Sequence, residues 1–282
     1  MEKYLLVTKN EREKSAPLVN EIKKFIEVRG GTAEITARPR DDSKESIIVP
    51  EGTEAILTIG GDGTLVRAAQ MTFLQDVPLI GVNHGHLGYL CDLDEESVFP
   101  AIEHMFADNY EIEERMMLSG HIRRTSGSET PVNHSLNDIV VISQDGKSVI
   151  RLTVYINGEF LYSLQGDGMI FATPTGSTAY NLAAGGPIVD PKTEAMLMTP
   201  INPHTLNSRS SIVLDPGDEI SIEITPRRST AKEAATVLFD GSFPYVLEPQ
   251  DRLIVKKSQC KTRMIFMKQM SFLERMRNKM QE

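Results

Sequence analysis

The chain has 282 residues, 40% of them hydrophobic, 24% charged and 6% aromatic, the texture of a globular protein with room for one large domain or two moderate ones. Thirty Lys/Arg stand against 39 Asp/Glu, a net charge of −9, which argues against a protein that grips nucleic acid or an anionic membrane through massed cations. Two cysteines, Cys91 and Cys260, lack ligand spacing for zinc or a disulfide framework, and no export signal or membrane span is visible, so a reducing cytoplasm is the expected location.

In chain order, KYLLVT (3–8) predicts a buried strand, and a helix follows with Ser15 as N-cap, Pro17 in its first turn and Gly30-Gly31 as its stop. Residues 33–37 predict a short strand, ARPRDDSKES a polar loop, and AILTI (55–59) a second buried strand ending in glycines. A helix over 64–73, a strand over 77–82 and an amphipathic helix over 95–106 complete an alternation that predicts a parallel sheet covered on both faces. After about Tyr110 the texture changes to strand-like runs such as LNDIVVIS, SVIRLTVYING, EISIEIT and ATVLFDG, separated by NG, DG and PGD turns, so this half is expected to be mainly antiparallel β. TPTGSTAYNLAAGGPIV interrupts it with a loop and a short helix over 178–184, and 271–281 reads as helix again. From 251 to 282 nine Lys/Arg face three Asp/Glu; this +6 tail reads most simply as a solvated helix face, or one pairing with the acidic body or a neighbouring subunit.

Gly60-Gly61-Asp62-Gly63-Thr64 lies between a strand and a helix, where glycines let the chain turn tightly and let phosphate oxygens approach N–H groups at the positive helix end. It is a phosphate-binding elbow with a carboxylate inside it, neither a P-loop nor the GxGxxG fingerprint; the bland alternative is a turn with Asp62 as helix cap. Gly166 to Tyr180 repeats the strand, hydroxyl-rich loop and helix order, and from Phe160 to Val189 the only charged side chain is Asp167, where the chain average predicts about seven. Such depletion fits a dry pocket lined by backbone and hydroxyl donors, or a buried turn of the core. Asn137-Asp138 reads locally as the turn before IVVIS, and Arg67 either as a solvated helix cation or as a group reaching a phosphate. His84, His86, His104, His121, His134 and His204 show no metal-ligand pattern.

GGDGT (60–64), GVNHGHLGYL (81–90), Asn137-Asp138 and GDGMIFATPTGSTAYNLAAGGPIV (166–189), in that order, resemble the NAD kinase family. GGDGT alone also occurs in lipid kinases of the diacylglycerol and sphingosine type; the TPTGSTAY segment is the more specific feature. The resemblance implies an α/β N-terminal domain with a parallel sheet (1–114), a β-rich dinucleotide-binding domain (115–249) and a C-terminal segment (250–282) returning to the first domain. It implies transfer of the γ-phosphoryl group of ATP to the 2′-hydroxyl of the adenosine ribose of NAD, with Mg²⁺ carried mainly on ATP. Asp62 matches the catalytic carboxylate, and Gly60, Gly61, Gly63 and Thr64 the phosphate contacts. The NAD contacts fall on Asp62, Gly63, Arg67, Tyr89, Asn137, Asp138, Asp167, Thr178, Ala179, Tyr180, Asn181, Leu182 and Ala183. Tyr89 stands where Phe is usual and Asp138 where Glu is more common, one methylene shorter. A homodimer or homotetramer is implied, with no nucleic-acid or membrane partner. The rival readings are a GGDGT-type lipid kinase and a non-catalytic NAD(P) sensor.

Overall fold

The computed structural model describes residues 1–39, 46–84, 88–144, 149–204, 210–225, 234–267 and 271–281; residues 40–45 of the expected polar loop and 85–87, His86 among them, lie outside the described residues. The chain divides into unit 1, residues 1–115 with 261–282, and unit 2, residues 116–260.

Unit 1 begins with β1 (Lys3–Thr8), α1 (Pro17–Val28), β2 (Thr32–Ala37), β3 (Ala55–Gly60), α2 (Asp62–Thr72), β4 (Leu79–Asn83) and α3 (Val98–Phe106). The strands are parallel in the order β2-β1-β3-β4. Buried on both faces, β1 and β3 need continuous apolar runs, which is why KYLLVT and AILTI are legible without alternation. Helix α1 buries Leu18, Val19, Ile22 and Ile26 along one stripe, into a core shared with Leu6, Leu57, Ile80 and Ile102. Its stop is a Schellman arrangement: Gly31 N–H donates to Ile26 C=O and Gly30 N–H to Glu27 C=O, each at 3.1 Å. The start differs from expectation. Asn10 caps a 3-10 turn, Glu11–Ser15, and Ala16 holds the N-cap position of α1, with Pro17 as its first residue. The strand order reverses between β1 and β3, and the GGDGT elbow sits at the carboxyl end of β3, at that switch point, where open α/β sheets take up ligands.

Unit 2 is antiparallel. It contains β5 (Glu111–Arg123), which enters from unit 1, β6 (Asn133–Ser135), β7 (Asp138–Ser143), β8 (Ile150–Ile156), β9 (Glu159–Gly166), β10 (Gly168–Ala172), the one-turn α4 (Tyr180–Ala183), β11 (Met196–Ile201), β12 (Ile212–Leu214), β13 (Ile220–Ile224), β14 (Ala235–Phe239), β15 (Ser242–Leu247) and β16 (Arg252–Phe266), which leaves for unit 1 and precedes α5 (Phe272–Gln281). One sheet runs β12-β11-β10-β7-β14-β15. A second pairing series runs β16-β13-β8-β9. Ile139, Val141, Phe171, Val237 and Phe239 of the first and Leu152, Val154, Ile222 and Leu253 of the second share one core. Alternate residues Val140, Ile170 and Leu197 face the opposite way and pack with Ala184 and Val189, so the charge-poor segment covers the outer face of the first sheet.

Strands β11 and β15 escape a periodicity reading because each contains a proline, Pro200 and Pro244. The fold accommodates both: β15 pairs with β14, and Pro200 lies past the stretch Met196–Met198 that pairs with β12. The helix expected over 178–184 is instead a 3-10 turn, Thr175–Thr178, and α4, separated by Ala179 at φ −95°, ψ −129°.

Candidate functional site

In unit 1 the site is built from the end of β3 and the start of α2. Gly61, extended, is the N-cap, and Asp62 opens the helix, so the carboxylate lies at the positive end of the helix dipole. Asp62 does not cap its own helix. Its Oδ2 accepts the N–H of Tyr89 at 2.7 Å, and its Oδ1 accepts those of Leu90 at 3.2 Å and Cys91 at 3.1 Å. This approach demands glycine at 88, since a Cβ there would stand 2.0 Å from Asp62 Oδ1. At Gly61 and Gly63 an added Cβ meets nothing within 4 Å among the described residues, which leave the approach to the elbow's backbone open. Thr64 is buried behind them.

Two further residues lie beside this elbow. Arg67, only 2% exposed, is not a solvated helix cation: its guanidinium donates to Gln70 Oε1 at 2.9 Å within the core. Cys91 is buried against Asp62, and burial first, then the Asp62 charge, push its thiol well above the usual range, so it stays protonated. His84 Nδ1 meets Glu95 Oε1 at 2.6 Å on the surface. Among the described residues no group of three or more His, Cys, Asp and Glu stands close enough to hold a metal ion.

In unit 2 the Asn137-Asp138 pair sits at the start of β7, where Asp138 is opposite Ala172 of β10. Three successive N–H groups, of Leu136 (2.8 Å), Asn137 (2.8 Å) and Asp138 (3.0 Å), donate to the Asp240 carboxylate, and Asp240 N–H donates back to Asp138 C=O at 2.9 Å. Asp240 occupies a left-handed position, φ +49°, followed by Gly241 at +70°, in the two-residue turn joining β14 to β15. Asp138 is 5% exposed, and burial together with the Asp240 charge pushes its carboxyl up to about 8. Asn137 Oδ1 is buried with no hydrogen-bond partner among the described residues. Gly176 packs on the same pair, a Cβ there falling 2.1 Å from Asn137 O, while Thr173 N–H donates to Asn137 C=O at 2.9 Å and the Thr173 hydroxyl to Leu136 C=O at 2.6 Å.

Along the second motif the residues separate by access. Tyr180 and Ala183 are exposed, and Thr178, Ala179 and Leu182 half-buried. Asn181 is fully buried: its Nδ2 donates to Ser177 C=O (3.1 Å) and Pro187 C=O (3.0 Å), and its Oδ1 accepts from the Thr199 hydroxyl (2.6 Å). Asp167, half-buried, accepts from Asn202 Nδ2 at 2.8 Å. The structure thus gathers Asp62, Gly63 and Tyr89 in unit 1, and Asn137, Asp138 and the Thr173–Gly176 turn in unit 2. Sequence reasoning missed Asp240; the DG at 240–241 was legible as a turn, whereas its carboxylate's partners lie about a hundred residues away.

A family model described as the ATP-NAD kinase N-terminal domain matches residues 23–110, and one described as the ATP-NAD kinase C-terminal domain matches residues 136–267. The NAD kinase of Agathobacter rectalis is 44% identical over 284 residues, 99% of both chains. That of Lachnoclostridium phytofermentans is 34% identical over 282 residues, again 99% of both. Among solved structures, the yeast NADH kinase complexed with NADH shares the fold with a TM-score of 0.85 at 22% identity, covering 99% of this chain and 88% of that one. An NAD kinase from Archaeoglobus fulgidus in complex with ATP gives 0.74 at 23% identity, covering 98% and 96%.

Proposed function

The chain belongs to the ATP-NAD kinase family, and from that premise we propose that it transfers the γ-phosphoryl group of ATP to the 2′-hydroxyl of the adenosine ribose of NAD, giving NADP and ADP. The observation that carries this reading is the Asp62 carboxylate, set at a helix start beside an open glycine elbow and aimed by three amides.

In this reaction the ribose oxygen forms a bond to the γ-phosphorus as the bond to the ADP leaving oxygen breaks, and the hydroxyl proton passes to Asp62. Phosphoryl transfer through a loose transition state depends on positioning and charge stabilisation more than on base strength. The amides that orient Asp62 supply the first, and the positive end of α2 with the elbow of Gly60, Gly61, Gly63 and Thr64 supplies the second. On the dinucleotide side, Asn137 offers an unused buried acceptor to a donor on NAD, Asp138 enters as a neutral acid below about pH 8, and Tyr89, Asp167, Thr178, Ala179, Tyr180, Leu182 and Ala183 line the ligand. Arg67 and Asn181, both buried, serve by holding α2 and the loop in place.

The divalent cation belongs to the nucleotide in this reading: Mg²⁺ arrives on the phosphate oxygens of ATP with its own water ligands. Self-association is supported by β9, which among the described residues pairs with β8 alone and exposes Phe160 and Leu161, an edge suited to a second copy. No helix of the described residues is long and apolar enough to cross a membrane, and a cytoplasmic location is supported by two free thiols.

The test incubates the purified chain with NAD, ATP and Mg²⁺ and follows NADP with an NADP-specific dehydrogenase. NADP formation at the rate of ATP consumption is the expected result. Tight NAD binding without turnover would favour a sensor, and phosphorylation of a diacylglycerol or sphingoid base a lipid kinase.

A further inference from the structure

Helix α5 carries part of the +6 tail, and it packs in an unusual way. An amphipathic helix ordinarily turns its leucine inward, yet Leu273 is 63% exposed and Arg275 is among the residues α5 buries. The helix start is held locally by a capping box, Ser271 N–H to Glu274 Oε2 at 2.7 Å and Glu274 N–H to Ser271 Oγ at 3.2 Å. The arginine is thereby delivered to the loop that serves Asp62. Its Nη1 donates to Tyr89 C=O at 3.4 Å and its Nη2 to Asp92 Oδ1, with the ion-pair side chains only 10% and 5% exposed. Asp92 Oδ2 accepts Met267 N–H at 3.1 Å, and the guanidinium lies 5.9 Å from the Phe266 ring centre.

The geometry points to Arg275 as a positioning residue for the transfer: by gripping Tyr89 and Asp92 it holds in register the intervening N–H groups of Tyr89, Leu90 and Cys91 that aim the Asp62 carboxylate. The inference rests on the reading of Asp62 as the proton acceptor. Arg275 touches no reacting atom in it; it works through one loop whose N–H groups face Asp62 and whose flanking carbonyl and carboxylate face α5. Its charge is felt at the same place, since it draws the Cys91 thiol down while burial and Asp62 push it up. A bidentate grip on a carbonyl and a carboxylate at once needs a planar fork, which lysine lacks.

The test compares Arg275→Met, Arg275→Lys and Asp92→Asn in the coupled assay, with circular dichroism to confirm folding. Arg275→Met is expected to lower kcat roughly ten- to a hundredfold, as a displaced catalytic group does, with KM for NAD and ATP nearly unchanged. Arg275→Lys should recover part of the loss, and guanidinium at non-denaturing concentration should restore turnover to Arg275→Met but not to Asp62→Asn. Asp92→Asn, which keeps an acceptor for Met267 N–H, should lose kcat in the same way and keeps the test alive if Arg275→Met does not fold. Adding Arg275→Met to Asp62→Asn should cost no further turnover, because both act on one group. Wild-type kcat in folded Arg275→Met or Asp92→Asn, a KM rise at constant kcat, or a fully additive loss in the double variant would overturn the inference. Full turnover in Asp62→Asn alone would instead remove the reading of Asp62, and with it this route for Arg275.

Discussion

Each unit uses a carboxylate to collect three consecutive main-chain N–H groups: Asp62 those of Tyr89, Leu90 and Cys91, and Asp240 those of Leu136, Asn137 and Asp138. The hydrogen-bond device is the same and the division of labour is opposite. On the proposed reading the acid of unit 1 is the working group and the loop serves it, and the loop approaches so closely that position 88 has no room for a Cβ. On the same reading the loop of unit 2 is the working part and the acid serves it; Asp240 comes from a hairpin turn, while Asn137 Oδ1 has no partner among the described residues and Asp138 is buried beside the Asp240 charge. A carboxylate surrounded by amides is therefore no sign of catalysis in itself. What separates the two cases is the open helix start beside one and the closed hairpin beside the other.

The largest effect that would sharpen this contrast is expected from Asp62→Asn. Losing a positioned proton acceptor costs about 10²- to 10⁴-fold in kcat, with folding and NAD binding retained, measured by the coupled assay and by calorimetric titration with NAD. Retention of most turnover would erase the functional difference between the cradles. Gly88→Ala comes next. Forcing the carboxylate and its loop apart is expected to lower kcat by roughly 10²-fold, with thermal melting showing a fold still intact.

Asp240→Ala should act mainly on stability, because three amides lose their acceptor. A loss of about 1–3 kcal/mol in urea unfolding, with a raised KM for NAD and a kcat nearer wild type than that of Asp62→Asn, is expected. Unchanged stability would show that Asp240 is not a support. The last effect, read in the pH dependence of stability and not in turnover, concerns Asp138. Its folded pKa lies above its unfolded one, so between about pH 4 and pH 8 the native state holds the extra proton and stability falls as pH rises through that window. Asp138→Asn should flatten that decline in a urea series across pH, and an identical slope in both proteins would remove Asp138 as its source.

Particular residues show how much could be read beforehand. The bounds of β1 follow from KYLLVT because a strand buried on both faces is a continuous apolar run, and the strand-glycine-helix order of GGDGT by itself puts Asp62 in an elbow. The accessible Thr178, Ala179 and Tyr180 and the buried Asn181 look equivalent in the segment TAYN; what separates them is Thr199 and Pro187, which close over the Asn181 amide. Arg67 reads as a surface cation on an isolated helix and is buried because α2 is covered on all sides, every residue from Thr64 to Gln70 being buried.

Local chemistry, then, was written in the order of residues: which runs are buried strands, where a helix can begin, where glycine frees a backbone, and that a net charge of −9 leaves anion recognition to amides and hydroxyls instead of massed cations. The partners of the charged groups were not. Asp62 with Tyr89, Asp240 with Asn137, and Arg275 with Asp92 are joined across 27, 103 and 183 residues, and no periodicity in the chain reports such distances. Hydrophobic patterning selects a face for each element, but a buried charge is set by the few donors and acceptors that packing brings to it. Those meet only once the sheets and helices have closed around them.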